Sequence, residues 1–350
     1  MTGSVGKSST KEMIAAALSQ GKRVHKTAGN YNSQIGLPLT VFGLDHTHEI
    51  AVIEMGMSNF GEMERLSAIA SPTSAVVTNI GISHIEQLKT QENIRAEKLH
   101  IADTIGEQGA LYLNGDDPML QQLRESYTGK IVWYGMESDC DYRAVNIDTV
   151  KDCTRFELHA PFGAHKIMIP ALGLHNVSNA LAAIAVAYDQ GLTLDDIRCG
   201  LLTYEGLAMR QQIHELDKIT VIDDSYNASP DSIKSGIGVL MAVKSTGKKI
   251  AVLADMLELG ERSAQAHLEL GAYAAASGVD AVLTVGREAE KIAEGAAEES
   301  RKILVKACGT NDEAFAELEK ILNDGDCVLV KGSRGMHTDE IVQKLLTKYQ

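Results

Sequence analysis

Positive charge is in short supply in this chain. Its 33 Lys and Arg face 47 Asp and Glu, a formal net charge of −14 at pH 7 over 350 residues. Such a balance excludes a general nucleic-acid binder, whose footprint is a basic surface. It leaves a phosphate ligand open, because a few backbone N–H groups and one lysine can hold phosphate in an acidic protein. Cysteine is sparse as well: Cys140, Cys153, Cys199, Cys308 and Cys327 are odd in number, scattered, and form no C-x-x-C pair. That argues for free thiols in a reducing compartment and against zinc or a disulfide framework. No apolar run approaches the ~20 residues of a membrane span, and the N-terminus lacks the charged-then-apolar plan of a signal peptide. No short-period repeat or low-complexity segment is visible. The expected setting is cytoplasmic, with no nucleic acid and no membrane insertion.

What the chain does have is an alternation of short apolar strands with amphipathic helices. In the first half the strand candidates are "IAVIEMG" (50–56), "SAVVTNIG" (74–81), "GALYLNG" (109–115) and "KIVWYG" (130–135), with a helix over 91–105. Nearly continuous apolar strands separated by helices predict a parallel sheet covered on both faces. Between 144 and 169 the texture changes to alternation, as in "RFELHA", which predicts a small antiparallel ribbon. An alanine-rich helix follows and closes at Gly191. Beyond about 208 the α/β rhythm starts again with "ITVIDDS", "KKIAVLADM", "DAVLTVG", "KILVKA" and "CVLVKGS", the pattern of an open doubly wound sheet. The expected domains are 1–208 and 209–350.

Chemistry-bearing residues gather where these strands end. Gly3-Ser4-Val5-Gly6-Lys7-Ser8 reads as a phosphate loop: the glycines admit phosphate oxygens to the backbone, the lysine neutralises them, and the serine hydroxyl suits Mg²⁺. The bland alternative is a glycine turn that caps a helix. The longer form of the motif wants a further glycine where Met1 stands, and the strand that should aim such a loop is missing from the letters. Glu54 closes an apolar strand, where open α/β sheets bind ligands; it suits a metal or a water, or is merely solvated. His84 follows another strand and Lys98 lies on the next helix, positions that on their own read as a structural histidine and a solvated lysine. Asn176 and Asn179 share one face at a helix start, where one of them could simply be a cap. Arg210 lies at the expected junction. Asp223, Asp224, Tyr226 and Asn227 end one strand, Asp255 and Glu258 another, and Lys331 and Arg334 a third.

Taken in order, "TGSVGKSSTKEM", "GNYNSQIGLPLT", "IEMGMSNFGEM", "TNIGISHIEQL", "LGLHNVSNALAA", "DDSYNASPDS", "DMLELG" and "VKGSR" resemble the Mur ligases over essentially the whole chain. The nearest likeness is to members that join D-alanyl-D-alanine to the UDP-N-acetylmuramoyl tripeptide in cell-wall synthesis. "DSYNASP", "DMLELG" and "VKGSR" are the discriminating pieces. The resemblance implies a P-loop ATPase domain, mostly parallel with its small ribbon, followed by a dinucleotide-fold-like domain. It also implies that a preceding UDP-sugar domain and the strand feeding the loop are not part of the chain. The short G-x-x-G-K-S form is usual in this family.

The implied chemistry is ATP-dependent amide formation through an acyl phosphate, by a monomer using two Mg²⁺. The resemblance assigns Gly3, Ser4, Val5, Gly6, Lys7, Ser8 and Ser9 to the ATP phosphates. It gives one Mg²⁺ to Ser8 and Glu54, and the other to His84 and a carbamylated Lys98. Asn176 and Asn179 fall to the base, with Arg210 and Asp224 as further nucleotide contacts. Asn30, Asn32, Asn227, Lys331 and Arg334 fall to the two substrates; Lys7, Glu54, His84, Lys98 and Arg210 form the catalytic set. His100 departs from the glutamate or small residue usual beside the modified lysine, and "MHTDEIV" departs from the usual tail. The alternatives are a folylpolyglutamate- or cyanophycin-like ligase, a truncated ATP-binding fragment without activity, and a generic P-loop kinase, which explains none of the second-domain motifs.

Overall fold

The computed structural model describes residues 1–137, 139–300 and 302–350, and the chain divides into two compact units, Met1–Glu205 and Gly206–Gln350. No helix among the described residues is long and apolar enough to cross a membrane.

The first unit opens on the loop and α1 (Lys7–Leu18). It continues through β1 (Val24–Lys26), α2 (Gly36–Phe42), β2 (Ile50–Val52), α3 (Glu62–Ala70) and β3 (Ala75–Val77). Next come α4 (Ile85–Leu88), α5 (Gln91–Leu99), β4 (Ala110–Asn114), α6 (Pro118–Gln121) and β5 (Lys130–Gly135). The meander β6 (Tyr142–Val150), β7 (Cys153–Ala160) and β8 (Gly163–Ile169) follows, then α7 (Leu174–Asp189) and α8 (Leu194–Leu202). Strands β3 to β8 form one sheet in sequence order, parallel as far as β6 and antiparallel beyond it. The expected ribbon is therefore no separate piece: β6 pairs with β5 at Tyr134↔Tyr142 and extends the same sheet.

Strands β1 and β2 form a parallel pair of their own. Between that pair and β3 run Met1 and Thr2. Thr2 bridges Val77 in parallel, the Met1 nitrogen donates to the Ile53 carbonyl at 2.7 Å, and the Met55 N–H donates to the Met1 carbonyl at 2.8 Å. The expectation that the loop has nothing to aim it is corrected here. Met1 and Thr2, held on one side by an isolated bridge and on the other by backbone bonds, deliver Gly3 to the sheet's carboxyl edge.

Helices cover both faces. Met13, Ile14, Ala17 and Leu18 of α1 join the alanines of α7 and Leu201 of α8 on one side of the sheet. Met63, Leu66, Ile85, Leu88 and Ile94 pack on the other. Small residues set the spacing on the first side: a Cβ at Gly200 of α8 would meet the Ala16 carbonyl of α1 at 2.4 Å. Two strands are shorter than the apolar runs suggest. β2 stops at Val52 and β3 at Val77: beyond them Ile53, Met55 and Thr78 pair their backbones with Met1 and Thr2, which lead into the loop. The helix expected over 91–105 is α5 followed by a 3₁₀ turn at His100–Ala102.

The second unit comprises β9 (Gln212–Glu215), β10 (Thr220–Asp224), α9 (Pro230–Ala242), β11 (Lys249–Ala254), α10 (Ser263–Ala276) and β12 (Ala281–Val285). It ends with α11 (Glu290–Glu299), β13 (Leu304–Cys308), α12 (Asn311–Ile321), β14 (Cys327–Lys331) and α13 (Asp339–Tyr349). The sheet order is β13-β12-β11-β14-β10-β9, all parallel except the edge strand β9, which the sequence pattern did not single out. β9 is short and mixed in polarity, as edge strands usually are. Helices α10 and α11 cross with their backbones nearly touching. A Cβ at Gly295 would fall 2.0 Å from the Leu268 carbonyl, and one at Gly271 2.0 Å from that of Ile292. Gly295→Ala must push the helices apart, and overpacking of this kind costs about 1–3 kcal/mol. The expected outcome is a lower unfolding midpoint in urea, with the first unit's nucleotide binding unchanged.

Candidate nucleotide and metal site

The loop is clasped to the end of β3. Gly3 approaches so closely that a Cβ there would stand 1.9 Å from Thr78 Oγ1. The Ser4 N–H donates to the Asn79 carbonyl at 3.0 Å, and the Val5 N–H donates to Asn79 Oδ1 at 2.8 Å. Val5 O in turn accepts from Thr78 Oγ1 at 2.6 Å and Asn79 Nδ2 at 2.9 Å. Gly81 N–H donates to Ser4 Oγ at 2.9 Å. These bonds use up the outward amides of Ser4 and Val5. The amides that open α1, from Gly6 to Ser9, are therefore the ones a phosphate can use, where the helix dipole also favours an anion. Gly6 takes φ 84°, a left-handed turn that lets α1 start there. Thr78 and Asn79 had no role in the sequence reading, although a polar pair directly after an apolar strand was the available signal.

Lys7 folds back over the loop, donating to the Gly3 carbonyl at 2.8 Å and the Ser4 carbonyl at 3.4 Å. Lys98, fully buried on α5, donates to the same Gly3 carbonyl at 3.1 Å. Two lysines thus converge on one oxygen. Burial first, and the charge of Lys7 second, push the Lys98 ammonium well below the ordinary lysine range. Its neighbour Glu97 clamps the start of α3, accepting from Gly61 N–H at 3.0 Å and Met63 N–H at 2.9 Å. His100 points away, its Nδ1 bonded to Asp103 at 2.7 Å near the surface. The unusual residue therefore does not reach the lysine. His84 opens α4 in a left-handed conformation, φ 62°. Ser8 is buried in the first turn of α1, and Ser9 beside it is half-buried.

Glu54 is buried just past β2. Asn32 Nδ2 donates to its Oε1 at 2.7 Å. Its Oε2 is buried without a hydrogen bond, 3.9 Å from the ammonium of Lys11. The ammonium is too far to hydrogen-bond it, and a buried carboxylate oxygen of this kind has room for a directly bound cation. No group of three or more His, Cys, Asp or Glu gathers among the described residues. That fits Mg²⁺, which usually takes one or two carboxylates and completes its shell with substrate phosphates and water. Asn30 lies exposed in the same loop as Asn32.

Asn176 and Asn179 are buried behind the loop. Asn179 Oδ1 accepts from the Thr10 hydroxyl at 2.7 Å and lies 3.2 Å from where a Gly6 Cβ would be. Its Nδ2 donates to Asn176 Oδ1 at 3.1 Å, and Asn176 Nδ2 donates to the Leu172 carbonyl at 2.9 Å.

In the second unit, Asp224 and Lys331 form a buried pair at 2.8 Å. Lys331 also donates to the Asn227 carbonyl at 2.9 Å. Burial raises the Asp224 carboxyl against the pull of Lys331. The side chain of Asn227 is exposed except for a bond from the Ala228 N–H at 2.9 Å. The Arg210 guanidinium stacks on the Tyr226 ring, 4.0 Å from its centroid. Its flanking residues Met209 and Gln211 have φ of 60° and 56°, a strain of the kind found at functional positions. Arg334 is exposed, 3.5 Å from Asp339.

Residues 1–187 match the Mur ligase middle domain and residues 209–334 the Mur ligase glutamate ligase domain. The chain is 40% identical over 347 residues to the UDP-N-acetylmuramoyl-tripeptide–D-alanyl-D-alanine ligase of Bacillus subtilis, spanning 99% of this chain and 75% of that protein. It is 32% identical over 348 residues to the Escherichia coli enzyme of the same name, across 99% of this chain and 76% of that one. A crystal structure of MurF from Acinetobacter baumannii superposes with a TM-score of 0.92 at 32% identity, over 99% of this chain and 76% of the other. The Thermotoga maritima MurF ligase in complex with ADP gives 0.89 at 30% identity, over 100% and 79%.

If the clasp on Asn79 pre-organises the loop, Asn79→Ala should weaken ADP binding by about tenfold, the loss of roughly one net hydrogen bond or slightly more. Calorimetry checks this. The unfolding midpoint should fall far less than it does for Gly3→Ala.

Proposed function

The chain belongs to the Mur ligase family, and from that premise we infer an ATP-dependent ligase that joins D-alanyl-D-alanine to the UDP-N-acetylmuramoyl tripeptide in peptidoglycan precursor synthesis. The single observation behind the reading is the likeness to D-alanyl-D-alanine-adding relatives over 99% of the chain. The deciding assay is phosphate release from ATP. It should require both the tripeptide nucleotide and D-alanyl-D-alanine, and release that proceeds equally with glutamate as acceptor would sink the assignment.

In the proposed mechanism a tripeptide carboxylate oxygen attacks the γ-phosphorus of ATP. The bond to the β–γ bridging oxygen breaks, and ADP leaves behind an acyl phosphate. The free amine of D-alanyl-D-alanine then attacks the acyl carbon, the C–O bond to phosphate breaks, and the amine gives up a proton as the amide forms. Both steps pile negative charge on phosphoryl oxygens, so fixed positive groups are what the protein must supply. Lys7 does so by exchanging the Gly3 and Ser4 carbonyls for phosphate, with the amides of Gly6 to Ser9 beneath. Ser8 and Glu54 are assigned one Mg²⁺, His84 and Lys98 a second; when bound, these ions neutralise and align the phosphates. Asn176 and Asn179 are assigned to the base, Arg210 and Asp224 to the remainder of the nucleotide, and Asn30, Asn227 and Arg334 to substrates. Lys331, spent on Asp224, is assigned to holding that aspartate and the Asn227 segment in place.

Lys98 is assigned a carbamate. An amine adds to CO₂ only when neutral: its nitrogen bonds to carbon, loses a proton, and the product carries an anionic oxygen pair. Burial first, and the charge of Lys7 second, favour that neutral form at Lys98. With ¹³C-labelled bicarbonate, a carbamate carbon resonance is expected in the wild type and absent from Lys98→Ala. Because protonation removes the nucleophile, the signal should fade as pH falls. A Lys7→Ala variant should lose ATP binding by calorimetry while staying folded.

A further inference from the structure

The resemblance to the Mur ligases implies a substrate contact for Asn32, but its Nδ2 and both its backbone groups are committed elsewhere. Its Nδ2 donates to Glu54 Oε1 at 2.7 Å, its carbonyl accepts from Gly56 N–H at 2.8 Å, and its own N–H donates to the Asn30 carbonyl at 2.7 Å. The amide lies flat against the segment after β2, so close that a Cβ at Gly56 would come within 3.0 Å of Asn32 Cγ and Oδ1. The base of the loop carrying it is fastened by Lys11. That ammonium is 1% exposed, donates to the Thr27 carbonyl at 2.7 Å and the Gly29 carbonyl at 3.4 Å, and stands 3.2 Å from Glu12. Thr27 closes the circuit, its hydroxyl accepting from the Glu54 N–H at 2.9 Å.

We propose that Asn32 is a positioning residue for Glu54: its amide fixes the rotation of the carboxylate, and Lys11 holds the loop from which that amide reaches. The proposal rests on the assignment of Glu54 to a divalent cation. A carboxylate with one oxygen bonded and the other bare presents its lone pairs in one orientation. Without Asn32 only the Lys11 ammonium, 3.9 Å from Oε2, still orients it, and the productive orientation must be recovered when the cation binds. Partners that orient ligating groups typically account for 10–100-fold in metal affinity. The segment 27–32 also carries Asn30, whose carbonyl accepts from the Asn32 N–H at 2.7 Å, so the cation site and that loop share their fastenings.

The test is Mn²⁺ binding to the whole chain with ADP present, followed by electron paramagnetic resonance, on the wild type and on Asn32→Ala, Asn32→Leu, Asn30→Ala and Glu54→Gln. Both Asn32 variants are expected to bind Mn²⁺ about 10–100-fold more weakly, Asn30→Ala to match the wild type, and Glu54→Gln to lose the site. At saturating Mg²⁺ the KM for the tripeptide nucleotide should stay near wild type in Asn32→Leu. Unchanged Mn²⁺ affinity in both Asn32 variants, with a raised tripeptide KM, overturns the proposal and returns Asn32 to the substrate. Wild-type Mn²⁺ binding by Glu54→Gln overturns the underlying assignment of Glu54 instead. Lys11→Arg keeps the charge but not the ammonium's fit between two carbonyls. It is expected to weaken Mn²⁺ in the same direction, but that ammonium also stands 3.9 Å from Glu54 Oε2. The conservative Asn32→Gln therefore decides the matter if neither Asn32 variant folds: wild-type Mn²⁺ affinity together with a raised tripeptide KM overturns the proposal.

Discussion

The clasp between the phosphate loop and the end of β3 is the constraint on which the first unit depends. A loop that must present amides to phosphate cannot also satisfy itself, so its outward groups have to be held by something else. Thr78 and Asn79 do this with bonds to both sides of Val5 and to Ser4. The approach is possible only because Gly3 has no side chain to meet Thr78. The rest follows from that fit. β3 ends at Val77 so that its next residues can turn toward the loop, and α1 begins at a left-handed glycine. Met1 and Thr2 lock the entry between neighbouring strands.

Around the clasp the chain buries an unusual amount of charge. Lys11, Glu54, Glu97 and Lys98 are all 4% exposed or less. Each is matched to backbone groups or to an opposite charge, since an unmatched buried ion would cost several kcal/mol. Those matches divide by purpose. Glu97 and Lys11 are fully occupied and act as fasteners, one pinning α3 and the other pinning the 27–29 carbonyls. Lys98 and Glu54 are incompletely matched: an amine held on one carbonyl that it shares with Lys7, and a carboxylate with one bare oxygen. Incomplete matching marks the places where chemistry can enter. In the second unit the buried Asp224–Lys331 pair serves the first purpose, tying β14 to the segment after β10.

Much of this was legible in the letters, and the reason is local. Apolar runs with helical or continuous spacing report burial directly, so the parallel sheets and covering helices could be read, and G-x-x-G-K-S carries its conformation in its glycines. The order of the family motifs then supplied the ligase chemistry. What the letters could not supply was partnership across long sequence separations. Asn32 with Glu54, Asn79 with Val5 and Lys98 with Gly3 join residues that no periodicity relates. The same holds for the edge strand β9, whose four residues have no pattern of their own and become a strand only against β10. Composition and spacing determined which segments are strand, helix and phosphate loop, because those depend on near neighbours. Which charges are fasteners and which are left partly bare was decided only by the tertiary structure, because burial and counter-charge are properties of the place, not of the residue.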